Sequence, residues 1–242
     1  MRPDVHRRSV RRRSRNEERP RYVIGIDFGF TNSYTALAML ECVERPADHS
    51  ASTSQPNPIA YHVGHLKRFK LGTDTPEIIS FVSNLMMTKS LRGQTGLIVD
   101  ASGIGLPIVK EMRRCGLNPV PVTITASGRL TLNRVAKRDL MSALRLRFER
   151  GQIRIPASIK LRDELLEEFN NFTVEFSHKG NPIFSSPAGA HNDLIIALAL
   201  AVHFFENRGG LPRVRATIIG PTQSTSGRSY LERLAQDRML NL

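Results

Sequence analysis

Polar and apolar residues alternate in a readable order along this chain of 242 residues. Tyr22-Val-Ile-Gly-Ile-Asp27 carries no polar alternation and predicts a strand buried on both faces. Tyr34 to Val43 predicts a second strand, joined to the first through the turn Gly29-Phe-Thr-Asn-Ser33 as a hairpin. Residues 44–58, rich in Pro, Ser, Asn and Asp, read as an irregular loop, and Ala60 to Lys70 alternates as a third strand. Thr75-Pro76-Glu77 opens a helix in which Ile78, Ile79, Val82, Leu85 and Met86 recur at helical spacing as far as Arg92-Gly93. A strand at Leu97–Val99, a helix from Leu106 to Cys115 closed by Gly116, and a strand from Asn118 to Thr125 follow. That alternation implies a parallel portion in the sheet.

The remaining pattern is mostly helical. Lys137–Arg150 sets Leu140, Leu144 and Phe148 on one face, with Arg134, Arg138 and Arg145 on roughly the opposite one, and Lys137 nearer the core side. After Ile153-Arg-Ile-Pro156, Ser158 is expected to cap a helix with Leu161, Leu165, Phe169 and Phe172 inside; Asp163, Glu164, Glu167 and Glu168 read as its solvated face. Thr173 to Phe184 predicts an edge hairpin, and a helix from Asn192 onward is apolar all round, which predicts burial.

Charge changes this picture. The formal net charge is +13 and the isoelectric point near 10.6, the usual footprint of an anionic polymer partner, nucleic acid first. Residues 1–21 hold nine arginines against Asp4, Glu17 and Glu18, a net of +6, which leaves +7 on the rest. This tail has nothing apolar to fold around and is expected to be disordered and to touch phosphates without sequence preference. Residues 22–208 form the expected domain, and residues 209–242 a C-terminal extension with little core potential. The longest apolar run, Leu194 to Phe205, is too short to span a membrane and contains His203. Cys42 and Cys115 match no zinc or redox spacing, which points to a reducing cytoplasm.

Three aspartates sit where an unpaired charge is expensive: Asp27 ends one apolar run, Asp100 ends Leu97-Ile-Val-Asp100, and Asp193 opens the apolar helix. Singly, each reads as a strand end or a helix cap. Together they suggest a site for a hard divalent cation, which takes carboxylate oxygens, water and substrate phosphate.

Hairpin with Asp27, third strand, helix, strand with Asp100, helix, strand and a late helix with Asp193 is the element order of the ribonuclease H-like fold. Within it, Gly25-Ile-Asp-Phe-Gly29, Val99-Asp-Ala-Ser-Gly-Ile-Gly105 and Ala190-His-Asn-Asp-Leu-Ile-Ile-Ala-Leu-Ala199 resemble the nuclease domain of the phage terminase large subunit. The resemblance covers about residues 21 to 206. It implies an α/β fold with a mixed central five-stranded sheet flanked by helices, plus the small edge hairpin. It further implies that Asp27, Asp100 and Asp193 are the ligands of two Mg²⁺ or Mn²⁺ ions in an endonuclease acting on double-stranded DNA, Asp27 bridging them. His191 and Lys137 are auxiliary candidates, and Arg134, Arg138 and Arg145 candidates for gripping the DNA backbone.

Two departures stand out. The family often has adjacent acids where this chain has Asn192-Asp193, and no Gly-x-x-x-x-Gly-Lys-Ser/Thr phosphate loop occurs. The implied partners are therefore double-stranded DNA, a terminase ATPase domain and other packaging proteins, in the bacterial host cytoplasm and with no membrane. The rival readings are a Holliday-junction resolvase, a single-lobe actin/Hsp70-like nucleotide-binding protein suggested by Gly25–Ser33, and a DNA-binding assembly module without catalysis.

Overall fold

The computed structural model describes residues 21–29, 33–44, 59–103, 105–126, 133–171, 173–176, 182–185 and 191–207. The basic tail before Arg21, the loop over 45–58 and the extension over 209–242 lie outside the described residues. In chain order the elements are β1 (Tyr22–Asp27), β2 (Ala36–Glu44), β3 (Ile59–Arg68), α1 (Thr75–Met87), β4 (Thr95–Asp100), α2 (Gly105–Arg114) and β5 (Val120–Thr125). There follow β6 (Arg134–Ala136), α3 (Lys137–Glu149), β7 (Ile153–Arg154), α4 (Arg162–Asn171), β8 (Thr173–Phe176), β9 (Pro182–Ser185) and α5 (Asp193–Asn207).

One sheet runs β6-β5-β4-β1-β2-β3-β7. Its five central strands are those expected from the sequence, extended by the short edge strands β6 and β7, while β8 and β9 pair separately as the edge hairpin. β2 is antiparallel to both β1 and β3, whereas β4 lies parallel to β1 and β5 parallel to β4. Between the parallel strands β4 and β5 the chain crosses over through α2.

Both sheet faces are covered. Tyr22, Ile24 and Ile26 point toward α1 and α2, joining Ile79, Val82, Val109 and Met112. Val23, Ala36, Ala38 and Ile98 point the other way, into a second cluster built on α5 and completed by Leu140 and Leu144 of α3 and Leu165 of α4. Each such large side chain contributes about 1.5–3 kcal/mol of burial, and this double coverage is why β1 needs no polar alternation. α5 is buried along Leu194–Val202, which is why it is apolar on all sides.

Local signals mostly act as the sequence suggests. The Asp74 carboxylate caps α1 by accepting from the Glu77 amide at 2.9 Å, with Pro76 in the first turn. α1 ends at Met87 rather than running to Gly93, because Thr88 turns the chain and tucks Leu91 into the core. α4 starts at Arg162, later than the expected cap at Ser158. The residue before it, Leu161, has φ of 64°, a left-handed conformation that a right-handed helix cannot include.

Candidate metal centre

Strand register brings the first two aspartates together. Ile26 lies opposite Val99 across the parallel pair, so Asp27 and Asp100 are the next residues outward on neighbouring strands. The period of two puts both on the α5 side, the face to which Val23 and Ile98 already belong. Across the antiparallel strands, Asp27 pairs with Ala36 and Ala36 with Arg68, so one row runs from Asp27 to the last residue of β3.

Gly25 brings in the third aspartate. A Cβ at this position would stand 2.1 Å from the Ala197 carbonyl oxygen and 3.1 Å from the Ala201 nitrogen. The space that the missing side chain leaves is filled by the backbone of α5, which can lie directly on β1 only because Gly25 has no Cβ. That close seat sets the helix start beside the strand end. Asp193, the first residue of α5, is 5% exposed.

The carboxylates act on one another. Loss of solvent holds the Asp27 carboxyl well above its ordinary range; Asp100, Asp193 and Glu168 add to the rise and Lys137 opposes it. Burial also raises Asp100, against hydrogen bonds that its Oδ1 accepts from the Ser102 amide at 2.8 Å and the Ser102 hydroxyl at 2.6 Å. Ser102 Oγ in turn accepts from the Ile124 amide at 2.9 Å, which ties this carboxylate to β5. Lys137, first residue of α3, lies in the field of Asp27; loss of solvent lowers its pKa and Asp27 opposes the drop.

A cavity of about 180 Å³ opens here, lined by Asp27, Gly29, Tyr34, His191, Asn192 and Asp193 among others. Asp100 stands outside its wall. Among the described residues no three His, Cys, Asp or Glu side chains close around a point as a ready cage. The donor chemistry nevertheless fits a hard divalent cation: carboxylate oxygens gathered in a buried place, where an added positive charge would offset both the loss of solvent and their mutual repulsion.

The auxiliary candidates separate in space. His191 is exposed at the cavity mouth, its ring 4.8 Å from Tyr34 and its Nδ1 3.9 Å from Asp193 Oδ1. Lys137 reaches the aspartates electrostatically, as its place near the core side of α3 suggested. The arginine stripe does not hold together. Arg134 belongs to β6 rather than α3, and the exposed Arg138 and Arg145 pair with Asp139 at 3.3 Å and Glu149 at 2.9 Å. None of the three lines the cavity.

Glu168 corrects the expected solvated face of α4. It is 4% exposed, and its Oε2 accepts the Ile195 amide of α5 at 2.9 Å. Its other oxygen pairs with Arg68, whose Nε donates to Asp193 Oδ2 at 2.8 Å. Burial and neighbouring Asp193 push the Glu168 carboxyl up to about 7, against the pull of Arg68 and the Ile195 amide. The helical spacing carried a signal: Glu168 stands three residues after buried Leu165 and one before Phe169, at the border of the inner stripe. Arg68 had no local signal.

No protein-family model matches the chain. It is 26% identical over 189 residues to the terminase large subunit of Thermus phage G20c, a stretch that is 78% of this chain and 33% of that protein. The chain thus spans about a third of the length of the curated relatives it matches. The crystal structure of the large terminase nuclease of phage G20c superposes with a TM-score of 0.54 at 24% identity, covering 74% of this chain and 80% of that one. The same nuclease with bound magnesium gives a TM-score of 0.51 at 24% identity, over 75% and 80% of the two chains. By sequence, then, the chain is similar to phage terminase large subunits, and its architecture is the ribonuclease H-like fold of the large terminase nuclease.

Proposed function

We propose that the chain is a metal-dependent endodeoxyribonuclease that hydrolyses phosphodiester bonds of double-stranded DNA, the cutting part of a phage packaging machine. The observation that carries this reading is the convergence of Asp27, Asp100 and Asp193 on one face, with α5 seated on Gly25. Similarity to a terminase nuclease that was crystallised with magnesium supports it. Asp27, Asp100 and Asp193 would hold the cation. When bound, two Mg²⁺ or Mn²⁺ ions supply a water of lowered pKa and neutralise charge on the scissile phosphate and the leaving oxygen.

The chain's own residues supply the rest. Asp27 lies between the other two in the field of all the acids, which suits a shared ligand. Ser102 fixes Oδ1 of Asp100 through its amide and its hydroxyl, which would orient the carboxylate for coordination. His191, at the mouth of the cavity, is placed to orient phosphate or to relay a proton to bulk water. Lys137 offsets part of the negative charge from the α3 side. The basic surplus supplies affinity for the DNA backbone, with strong salt dependence and without reading sequence.

The reading assigns a terminase ATPase domain and other packaging proteins as partners, and the bacterial host cytoplasm as the place of action. Among the described residues no helix is long and apolar enough to cross a membrane. Nicking and linearisation of supercoiled plasmid with Mg²⁺, Mn²⁺ or EDTA, using wild type beside Asp27→Asn and Asp100→Asn, tests the core of it. Metal-dependent cutting that both variants lose is the expected result. Salt-sensitive DNA binding without any cutting would instead favour an assembly module.

A further inference from the structure

We propose that Arg68 is a fixed internal cation of this centre, a positioning residue that holds one oxygen of Asp193 and limits the DNA-free protein to a single divalent ion. The inference rests on the metal-centre reading above. Arg68 is held from three sides: Nε donates to Asp193 Oδ2 at 2.8 Å, Nη2 pairs with Glu168, and the guanidinium carbon lies 5.4 Å from the centre of the Tyr34 ring. Its side chain is only 17% exposed. A fork engaged at both prongs and stacked on a ring is a stationary charge rather than a swinging one.

The geometry divides Asp193 between two tasks. Oδ2 faces the guanidinium, while Oδ1 faces His191 on the cavity side. Glu168 completes the arrangement from α4, binding Arg68 with one oxygen and the Ile195 amide with the other. Asp193 is therefore oriented by a residue two strands away from Asp27 and by a helix that the aspartate motifs do not include.

Formal charge then sets the ion count. Asp27, Asp100, Asp193 and Glu168 stand against Lys137 and Arg68, an excess of two negative charges that one divalent ion neutralises. A further ion would enter a region already neutral and face the guanidinium at short range. It becomes favourable once a DNA phosphate adds negative charge.

The test is a Mn²⁺ titration of the full chain without DNA, free Mn²⁺ being counted by electron paramagnetic resonance and melting followed in parallel. Wild type should bind one ion. Arg68→Gln should bind a second ion, or the first roughly tenfold more tightly, the order expected for removing a unit charge from a partly screened site. Glu168→Gln should weaken binding, and Arg68→Lys should stay at one ion. Opposite signs for Arg68→Gln and Glu168→Gln cannot arise from shared damage to the fold, and Arg68→Lys with Glu168→Gln carries the test if Arg68→Gln melts. Two ions in wild type, unchanged by Arg68→Gln, would overturn the role of Arg68 and leave the metal centre standing. No ion bound by wild type would remove the centre itself, and this inference with it.

Discussion

The two ends of the sheet handle buried charge in opposite ways. Where β1 and β4 finish, four carboxylates gather around Lys137 and Arg68 and negative charge is in excess. At the other end each carboxylate has its own guanidinium: Arg21 Nη2 meets fully buried Glu41 at 2.7 Å, and Arg147 pairs with Glu206. Glu206 also accepts from the Tyr61 hydroxyl at 3.0 Å, and burial, with the charge of Glu206, holds that phenol above its ordinary range. Gln152 extends the network from Arg147 to the Ile59 carbonyl. The matched end joins α3, α5 and β3 together, whereas the mismatched end keeps a charge that only an added cation can balance.

The largest expected effect is on catalysis at the mismatched end. Asp27→Asn should lower metal-dependent plasmid cleavage by about 10²–10³-fold or more, while its melting temperature holds or rises because one repelling charge is gone. A melting temperature that falls instead would mean that the aspartates stabilise the fold, and the contrast between the ends would collapse. Gly25→Val comes next and should damage both properties. Its side chain would enter the 2.1 Å gap to the Ala197 carbonyl and push α5 off β1, costing about 1–3 kcal/mol. Cleavage should fall further than melting alone explains, since Asp193 moves with the helix. Chemical denaturation beside the cleavage assay separates the two parts.

The aspartates were legible because each breaks a local rule: a charge ending an apolar run at Asp27 and Asp100, and a charge opening an apolar helix at Asp193. The parallel portion of the sheet followed from the alternation of strands and helices. Arg68 was not legible, because its role comes from the row Asp27, Ala36, Arg68, and register is a relation between strands rather than a property of any one. Glu168 was misread for a related reason. A glutamate among acids on an amphipathic helix reads as solvent-facing, and only the arrival of the α5 N-terminus turns it into a buried cap. The arginine stripe was misplaced because a strand, β6, intervenes before α3, so Arg134 does not share the helical period.

Glu206→Gln sharpens the contrast from the matched end. It leaves Arg147 without its counter-charge and should cost about 1–2 kcal/mol, discounted from a fully buried pair because both side chains are partly exposed. Plasmid cleavage below the melting range should be unchanged. A loss of cleavage as large as that of Asp27→Asn would mean that the two ends are coupled through α5, which runs between them, and not separate.

The smallest effect lies between the ends, at His65 of β3. Its Nε2 is buried without a hydrogen-bond partner among the described residues, its ring stacks 6.0 Å from Phe81, and burial with the nearby Lys67 lowers its pKa. The unfolded chain therefore takes up this proton at higher pH than the native one. Stability from His65 is present above the ordinary histidine range and lost as pH falls through it. Asp27, Asp100 and Glu168 tilt the other way: burial raises their pKa values, so acid removes charges that the native state holds away from solvent, and stability is lost as pH rises. Wild type thus sums two opposed slopes and should show a shallow dependence of melting temperature on pH between about 5 and 8. His65→Phe removes one of them, so the metal-free variant should gain about 2–4 °C over wild type at the acid end and little at the alkaline end. Equal gains at both pH values would assign the effect to ring packing against Phe81 and leave the charge of His65 without influence on the fold.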